Sequence, residues 1–275
     1  LALAAPLTLI AAKTDAENTL RLGMREDAAP FSALVEGIDP AKASFDEAYS
    51  GFSVSLCSQV VRTLRERDAT LEVEHVGVTA QTRFPSEDHE AETWDLLCDS
   101  TSMTVARMDW CAFSFPFFVT GITYVASDPA ATTQSFSGQP AALVGETTAD
   151  KGLAQDWERR YGDAPAFEPF EDYEAAVKAL AAGEVAAVFG DQVLLQEALS
   201  AAEVDLKVSS DMLSIELYGF CVAPGRHDVL AAVNTTLARI YRNGEVYRIL
   251  GRDFDGRGAS GLLRNLYRLH AVAEE

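Results

Sequence analysis

The sequence predicts an α/β protein of two lobes, with two short extended segments that cross between the lobes. Apolar runs typical of strands alternate along the chain with amphipathic segments typical of helices, as in βαβ units. This alternation stops at "FSFPFFVTG" and then begins again. A second extended stretch, "SIELYG", comes before a last strand and a long helix, so the chain is expected to return there to the first lobe.

The first half of the chain gives the elements of the first lobe. "TLRLGMR" alternates Leu20, Leu22 and Met24 and predicts a strand. In the next segment Leu56 and Val60 recur at helical spacing, which predicts a helix over "SGFSVSLCSQVVRTLRER". Two further strands are predicted at "LEVEHVGV" and "WDLLCDS".

The second half repeats the pattern. A helix at "TTADKGLAQDWERRYG" should end at Gly162, and a helix at "DYEAAVKALAAG" should end at Gly183. A long helix after "RH" should end at Gly244. Strands are predicted at "GITYVAS", "QPAALVG", "EVAAVFGD", "DLKVSS" and "LYGFCVAPG".

These elements set the predicted domain limits. Lobe one is expected to comprise residues 17–116 together with 218–275, and lobe two residues 117–217. Residues 1–16 form an apolar, Ala- and Leu-rich run followed by small residues, which resembles the end of a secretory signal. The alternative is an ordinary N-terminal extension. A signal would place the protein in the periplasm or outside the cell.

Composition narrows the class of function. The 275 residues are 48% hydrophobic and carry a formal net charge of −20, which is typical of a globular domain and unsuited to nucleic acid or anionic membrane. An anionic ligand would therefore need a local cluster of arginines. The four histidines lie far apart without metal-binding spacing, so neither a metal nor a cofactor is expected.

The four cysteines form an even set, which suits an oxidising compartment. We expect Cys57 to pair with Cys98, which would join the first helix to the end of the third strand. Cys111 would then pair with Cys221 and join two strands of lobe one. The alternative is four buried free thiols.

The stretch "CDSTSMTVAR", residues 98–107, places four hydroxyls and an arginine directly after an apolar run. Two interpretations are open. The stretch could be a strand end followed by a helix N-cap, which Ser and Thr favour. It could instead bind a carboxylate, with Ser100 and Ser102 as donors and Arg107 as a bidentate clamp.

Other charged and hydroxyl residues lie near predicted strand ends. Arg25 and Arg83 join Arg107 there, which suggests a ligand with more than one carboxylate, since Arg suits bidentate recognition. Asp191 closes a strand at the edge where α/β sheets bind ligands, although it could be a solvated loop residue. Thr147 and Thr148 open a helix, where they could hold an anion or simply cap the helix.

Taken in order along residues 18–272, the motifs resemble the amino-acid-binding branch of the periplasmic solute-binding proteins, the family-3 receptors of ABC importers. The motifs are "LRLGMREDAAPFS", "GFSVSLC", "WDLLCDSTSMTVAR", "FSFPFFVTG", "GETTAD", "AAGEVAAVFGD", "YGFCVAPG" and "LLRNLYRLHAV". The resemblance implies the type II periplasmic-binding-protein fold, in which two lobes close on a ligand and two crossing strands act as the hinge.

The resemblance also implies roles for single residues. Arg107 matches the arginine that grips the ligand's α-carboxylate, and Ser100 and Ser102 match donors to the same ligand. Asp191 matches the acceptor of the α-ammonium group. Thr147 or Thr148 matches the helix N-terminus of lobe two.

Within the family, the glutamate- and aspartate-binding members are most similar. They carry arginines at the positions of Arg25 and Arg83, aimed at the side-chain carboxylate, whereas Tyr173 replaces their histidine. The chain departs from them in further places, where Ala80 replaces a hydroxyl residue, Ala106 and Ala112 replace common acidic residues, and the segment 33–49 is longer.

The expected function is therefore that of a monomeric periplasmic receptor that delivers an acidic amino acid to an ABC permease, with no catalysis. One alternative is an enzyme, because cyclohexadienyl and arogenate dehydratases have this fold, and Glu26 is then the candidate acid. A second alternative is a free sensor module that docks on a kinase or chemoreceptor.

Overall fold

The computed structural model describes residues 18–85 and 93–273, so the predicted signal or extension at 1–16 lies outside the described residues. The strands are β1 (Thr19–Arg25), β2 (Asp27–Ala28), β3 (Ser32–Leu34), β4 (Tyr49–Ser50), β5 (Glu72–Val78), β6 (Leu96–Cys98), β7 (Ala112–Phe113), β8 (Phe118–Thr120), β9 (Ile122–Ala126), β10 (Pro140–Val144), β11 (Ala166–Phe170), β12 (Ala187–Asp191), β13 (Glu216–Tyr218) and β14 (Cys221–Val222). The α-helices are α1 (Phe45–Ala48), α2 (Phe52–Arg67), α3 (Gln155–Tyr161), α4 (Tyr173–Ala182), α5 (Gln192–Ala201), α6 (His227–Arg242), α7 (Glu245–Asp253) and α8 (Gly261–His270).

The first lobe is built on a five-stranded sheet in the order β5-β1-β6-β14-β7. Strands β5, β1 and β6 run parallel, and their register pairs Arg25 with Val78 and Met24 with Cys98. All three strands therefore end at the same edge of the sheet. Helix α2 packs against α6, and both bury their apolar faces in the core of this lobe.

The second lobe is built on a four-stranded sheet in the order β11-β10-β12-β9. Strands β10, β11 and β12 are parallel and β9 is antiparallel, so three strands again end at one edge. One face of the sheet packs on an aromatic cluster that includes Trp157, Phe136, Phe189 and Tyr124. These rings are almost fully buried and give the lobe a core of its own.

Two short strands connect the sheets. Strand β8 pairs antiparallel with β13, with Phe118 opposite Tyr218. The outgoing and returning segments of the chain thus lie side by side between the lobes, at the two places where the sequence predicts crossings. Gly121 follows β8 directly, and a Cβ atom there would collide with the carbonyl oxygen of Ser214. Only glycine fits this close approach of two chain segments.

Both predicted disulfides are confirmed. Cys57–Cys98 ties α2 to the end of β6, and Cys111–Cys221 ties the residue before β7 to β14. The partners are 41 and 110 residues apart in sequence. Cross-links across loops of this size stabilise a fold by roughly 4–5 kcal/mol in the chain-entropy model.

Three sequence predictions of elements are corrected. "DLKVSS" forms no strand, because Val208 makes only an isolated bridge to Val125 at the edge of the second sheet. "LYGFCVAPG" belongs to two strands, since β13 lies in the crossing pair and β14 in the first sheet. The helix expected from Thr147 onward begins with a π-helical turn at Ala149–Ala154 before α3. Among the described helices, none combines the length and the apolarity needed to span a membrane.

Candidate functional site

The carboxyl ends of the parallel strands in the two sheets face each other across a cleft. Arg25 ends β1, while Asp191 ends β12 on the opposite side. Two hydrogen bonds join the sides: Gln81 Nε2 donates to the Glu171 carbonyl at 2.9 Å, and Arg107 Nη2 donates to the Glu146 carbonyl at 3.4 Å. Clefts at the carboxyl ends of parallel strands are where α/β proteins bind ligands.

Arg107 lies in this cleft with part of its charge uncompensated. Its Nη1 donates to the carbonyl of Ser102 at 2.9 Å, and its guanidinium carbon lies 5.6 Å from the centre of the Phe84 ring. Desolvation and the neighbouring charge of Arg83 lower the pKa of Arg107 to about 9. Arg107 is therefore still protonated at neutral pH, and an anion in the cleft would relieve the unfavourable environment.

Asp191 is the complementary group on the other side. Its side chain is buried, with the residue 6% exposed, and its Oδ1 has no hydrogen-bond partner in the described part of the chain. Burial and the nearby charge of Glu216 raise the pKa of Asp191 to about 7. A cation beside Asp191 would lower that pKa and supply the missing partner.

Two tyrosines border Asp191. The hydroxyls of Tyr173 and Tyr218 are buried, and by distance and angle neither forms a hydrogen bond to the described residues, although the Tyr218 hydroxyl lies near enough to Asp191 to hold down the pKa of that carboxyl. Burial raises the pKa of both phenols, so both are neutral and able to donate. The Tyr173 ring lies directly over Gly190, with its hydroxyl 2.7 Å from where a Cβ would stand.

Arg25 and Arg83 lie in the same cleft, but a buried carboxylate already lies between them. Arg83 Nη1 donates to Asp99 Oδ2, and Arg25 Nη1 lies 3.5 Å from the same oxygen. Arg25 Nε also donates to Asp27 Oδ1. Burial alone would raise the pKa of Asp99, but Arg83 and Arg25 outweigh it and hold that pKa well below its usual range.

Asp99 is the site residue that the sequence analysis missed. It stands in "CDSTSMTVAR", but the hydroxyls around it drew the interpretation toward a ligand. Arg25 ends β1 and Arg83 comes after β5. Because these strands run parallel to β6, their ends lie beside Asp99, and this was the one signal that could have predicted the contact. Glu216 was missed as well, because it lies in the crossing strand β13.

The predicted hydroxyl residues border the cleft, and most of their hydroxyls bond to the protein. Ser100 Oγ donates to Asp99 at 3.2 Å, and Ser102 pairs its backbone with Tyr218. Thr147 Oγ1 donates to the carbonyl of Val144 at 2.7 Å. Thr148 Oγ1 donates to Glu216 Oε2 at 2.8 Å, which ties the start of the π-helical turn to β13.

The stretch "CDSTSMTVAR" runs into a short 3₁₀ turn at Ala106–Asp109 rather than an α-helix. Thr104 Oγ1 accepts from the N–H of Arg107 at 3.2 Å, so one of the four hydroxyls does cap a turn, as the first interpretation expects. Within residues 18–85 and 93–273, no group of three or more His, Cys, Asp or Glu side chains is arranged to hold a metal ion.

Two α/β lobes whose parallel strands end at a charged cleft, joined by a pair of crossing strands, define a two-lobed solute-binding protein. The sequence model of the bacterial extracellular solute-binding proteins, family 3, matches residues 20–255. The chain belongs to this family.

Solved structures share the fold at low sequence identity. A mutant of ArgBP from T. maritima is 24% identical with a TM-score of 0.68, and the match covers 86% of this chain and 96% of that one. The arginine-, lysine-, histidine-binding protein ArtJ from Geobacillus stearothermophilus is 21% identical with a TM-score of 0.69, covering 90% and 99%. The ancestral amino-acid-binding protein AncCDT-1, a precursor of cyclohexadienyl dehydratase, is 19% identical with a TM-score of 0.65, covering 86% and 96%. No curated protein sequence matches the chain.

Proposed function

We propose that the chain is an exported receptor that binds an L-α-amino acid between its lobes and delivers it to an ABC permease. The observation that carries this proposal is the pair of unsatisfied charges on opposite sides of the cleft. Among the described residues, Arg107 forms no salt bridge and desolvation lowers its pKa, while Asp191 has a buried oxygen without a hydrogen-bond partner. The α-carboxylate and α-ammonium groups of one amino acid would supply both.

The geometry supports a role for each of the predicted site residues. Arg107 would clamp the α-carboxylate, with Ser100 and Ser102 beside it at the edge of the first sheet. Asp191 would accept the α-ammonium group. Tyr173 would direct its free hydroxyl at the ligand, and Thr147 and Thr148 would present the backbone N–H groups that open the π-helical turn.

The finer prediction of an acidic ligand rests on Arg25 and Arg83. Both guanidinium groups face the cleft region, yet both are already paired with Asp99. Among the similar structures, one binds arginine, lysine and histidine, and an ancestral arginine-binding protein holds arginine in one structure and glutamine in another. Those proteins share the fold with this chain, but their sequence identities are too low to assign their ligands to it. The ligand side chain that this protein prefers therefore depends on the residues of its own cleft.

The test is a thermal-shift screen of the standard amino acids, followed by calorimetric titration of those that stabilise. A ligand at about 100 times its Kd should add roughly 2.7 kcal/mol to the free energy of unfolding. The D-enantiomer of the best ligand is the matched control, because it misplaces the ammonium relative to Asp191. If no amino acid shifts the melting temperature, the proposal is wrong.

A dehydratase on the same fold is the second candidate. Burial, with Asp27 next to it, raises the pKa of Glu26, which favours the protonated form that a general acid needs. AncCDT-1, which has the same fold, is an amino-acid-binding protein and a precursor of cyclohexadienyl dehydratase. Turnover of prephenate by the purified protein, lost in Glu26→Gln, would favour the enzyme over the receptor.

A further inference from the structure

Asp99 occupies the place where an acidic ligand's side chain would be expected. It follows β6 directly, is 0% exposed, and accepts from Arg83 Nη1 while lying 3.5 Å from Arg25 Nη1. Asp99 Oδ2, which accepts from Arg83, also accepts from Thr101 Oγ1 at 3.0 Å. Asp99 Oδ1 accepts from Ser100 Oγ at 3.2 Å. The disulfide at Cys98 fixes the backbone immediately before it.

The charges of Arg25, Arg83 and the two carboxylates that contact them sum to zero. Arg25 and Arg83 carry two positive charges, and Asp27 and Asp99 carry two negative ones. Once Arg107 and Asp191 are assigned to the ligand's α-carboxylate and α-ammonium groups, no net positive charge remains for a side-chain carboxylate. A ligand carboxylate here would face the buried charge of Asp99, and like charges at such a distance repel each other strongly in a desolvated site.

One donor of the arginine pair is still free. Arg83 Nε is buried and lacks a hydrogen-bond partner among the described residues. A neutral acceptor, such as the carbonyl oxygen of a side-chain amide, would satisfy it without adding charge. A buried donor left unpaired costs about 1–3 kcal/mol, so this atom favours an accepting side chain over an aliphatic one.

We propose that Asp99 is a built-in counter-ion that determines specificity: it neutralises Arg25 and Arg83, excludes acidic side chains and adapts the cleft to neutral side chains with a hydrogen-bond acceptor, the amides above all. This inference rests on the proposed amino-acid-binding function. It replaces the acidic preference that the arginines alone predict, and it makes Asp99→Asn a specificity switch.

The experiment is calorimetric titration with two matched pairs, glutamine with glutamate and asparagine with aspartate, in which a neutral amide replaces a carboxylate of nearly the same shape. The wild type should bind the amide of the preferred pair at least tenfold more tightly than the acid. Asp99→Asn uncovers the positive charge, so the ratio should shift toward the acid by at least tenfold. Asp95→Asn is the control, because Asp95 flanks the opposite end of β6 and pairs with Arg226 outside the cleft; its ratio should equal that of the wild type.

A second measurement needs no amino acid. In Asp99→Gly the two arginines lose their shared carboxylate, and formate is small enough to take its place. Sodium formate, compared with sodium chloride at the same ionic strength, should raise the melting temperature of Asp99→Gly by more than it raises that of the wild type or of Asp95→Asn, where Arg107 remains its site. An equal effect on all three proteins would contradict the inference.

The outcomes separate the two proposals. A wild type that binds glutamate or aspartate more tightly than its amide overturns the inference and leaves the receptor function intact, and this result requires no variant to fold. An unchanged ratio in folded Asp99→Asn overturns it as well. Failure of all four ligands and of every other amino acid to bind the wild type would refute the receptor function, and the inference with it.

Discussion

Single residues in the cleft carry charges that the fold desolvates without fully compensating. Arg107 and Asp191 are the clearest cases, because the pKa of one is lowered to about 9 and that of the other is raised to about 7. A preorganised site of this kind stores unfavourable electrostatics in the free protein and releases them when a ligand of opposite charge arrives.

Arg107→Lys keeps the positive charge but removes the planar fork that can bind a carboxylate through two parallel hydrogen bonds. Breaking one partner of a buried charge pair costs about 3 kcal/mol or more, which corresponds to roughly a hundredfold rise in Kd. Calorimetric titration with the ligand from the screen measures it. Arg226→Lys, which alters an arginine paired with Asp95 and Asp228, should leave Kd unchanged. Equal affinity in the two variants would remove Arg107 from the site.

The raised pKa of Asp191 predicts how stability depends on pH. Because the folded protein holds this proton more tightly than the unfolded chain does, the free energy of unfolding without ligand should fall as pH rises from about 4 to about 7. The pKa of Asp99 is lowered, so its contribution to the free energy of unfolding is lost only at pH values below the range in which Asp191 acts. Asp191→Asn should therefore flatten the dependence and melt at a higher temperature than wild type at pH 8, where Asp191 is charged.

Ligand binding should show the opposite trend, since the ammonium group needs the ionised carboxylate. Affinity of the wild type is expected to rise between pH 5.5 and 8, and that of Asp191→Asn to be weak and nearly constant over the same range. A pH-independent Kd in the wild type would contradict the assignment of Asp191.

At the scale of elements, the contact between the first residue of α4 and the end of β12 determines the shape of the site. Tyr173 opens α4 and lies flat over Gly190, one residue before Asp191. The absence of a side chain at Gly190 thus determines where the Tyr173 hydroxyl stands. The helix is anchored by Asp172, whose side chain accepts from the N–H of Ala175.

Gly190→Ala should displace the Tyr173 ring, since the added methyl would overlap it. Overpacking of this type costs about 1–3 kcal/mol, and we expect a lower melting temperature and a higher Kd together. Gly152→Ala is the matched control, because a Cβ there meets nothing within 4 Å. Unchanged binding in Gly190→Ala would show that the tyrosine does not contribute to the site.

The elements were largely predictable because their signals are local. The alternation of Leu20, Leu22 and Met24 marks β1, and Gly183 in a left-handed conformation ends α4 as expected. Contacts between elements were less accessible. The grouping of Arg25, Arg83 and Asp99 depends on strand order, and the division of "LYGFCVAPG" between two sheets depends on the tertiary crossing at Gly219.

At the scale of the whole molecule, the ligand would bond to both lobes at once. Arg107 lies on the first lobe and Asp191 on the second, so a bound amino acid favours the closed arrangement and shifts the population toward it. The contacts of Gln81 with Glu171 and of Arg107 with Glu146 already bridge the cleft.

Small-angle scattering should therefore show a smaller radius of gyration when the wild type is saturated with its ligand. Asp191→Asn keeps the contacts of the first lobe and loses the bridge, so it should compact less at the same ligand concentration. Gln81→Ala removes a bridging bond outside the proposed ligand contacts and should expand the free protein while leaving the saturated one compact. No compaction of the wild type would contradict the clamp.

The pairing of Phe118 with Tyr218 allows the segment between these residues to be deleted or transferred to another protein by genetic engineering. Because these residues face each other across β8 and β13, the segment between them begins and ends at almost one point. A short turn in place of this segment would be enough to connect the two parts of the first lobe. The segment itself can be inserted into a surface loop of a reporter protein, because its two ends are adjacent. Each half would then be available for study as a separate folding unit.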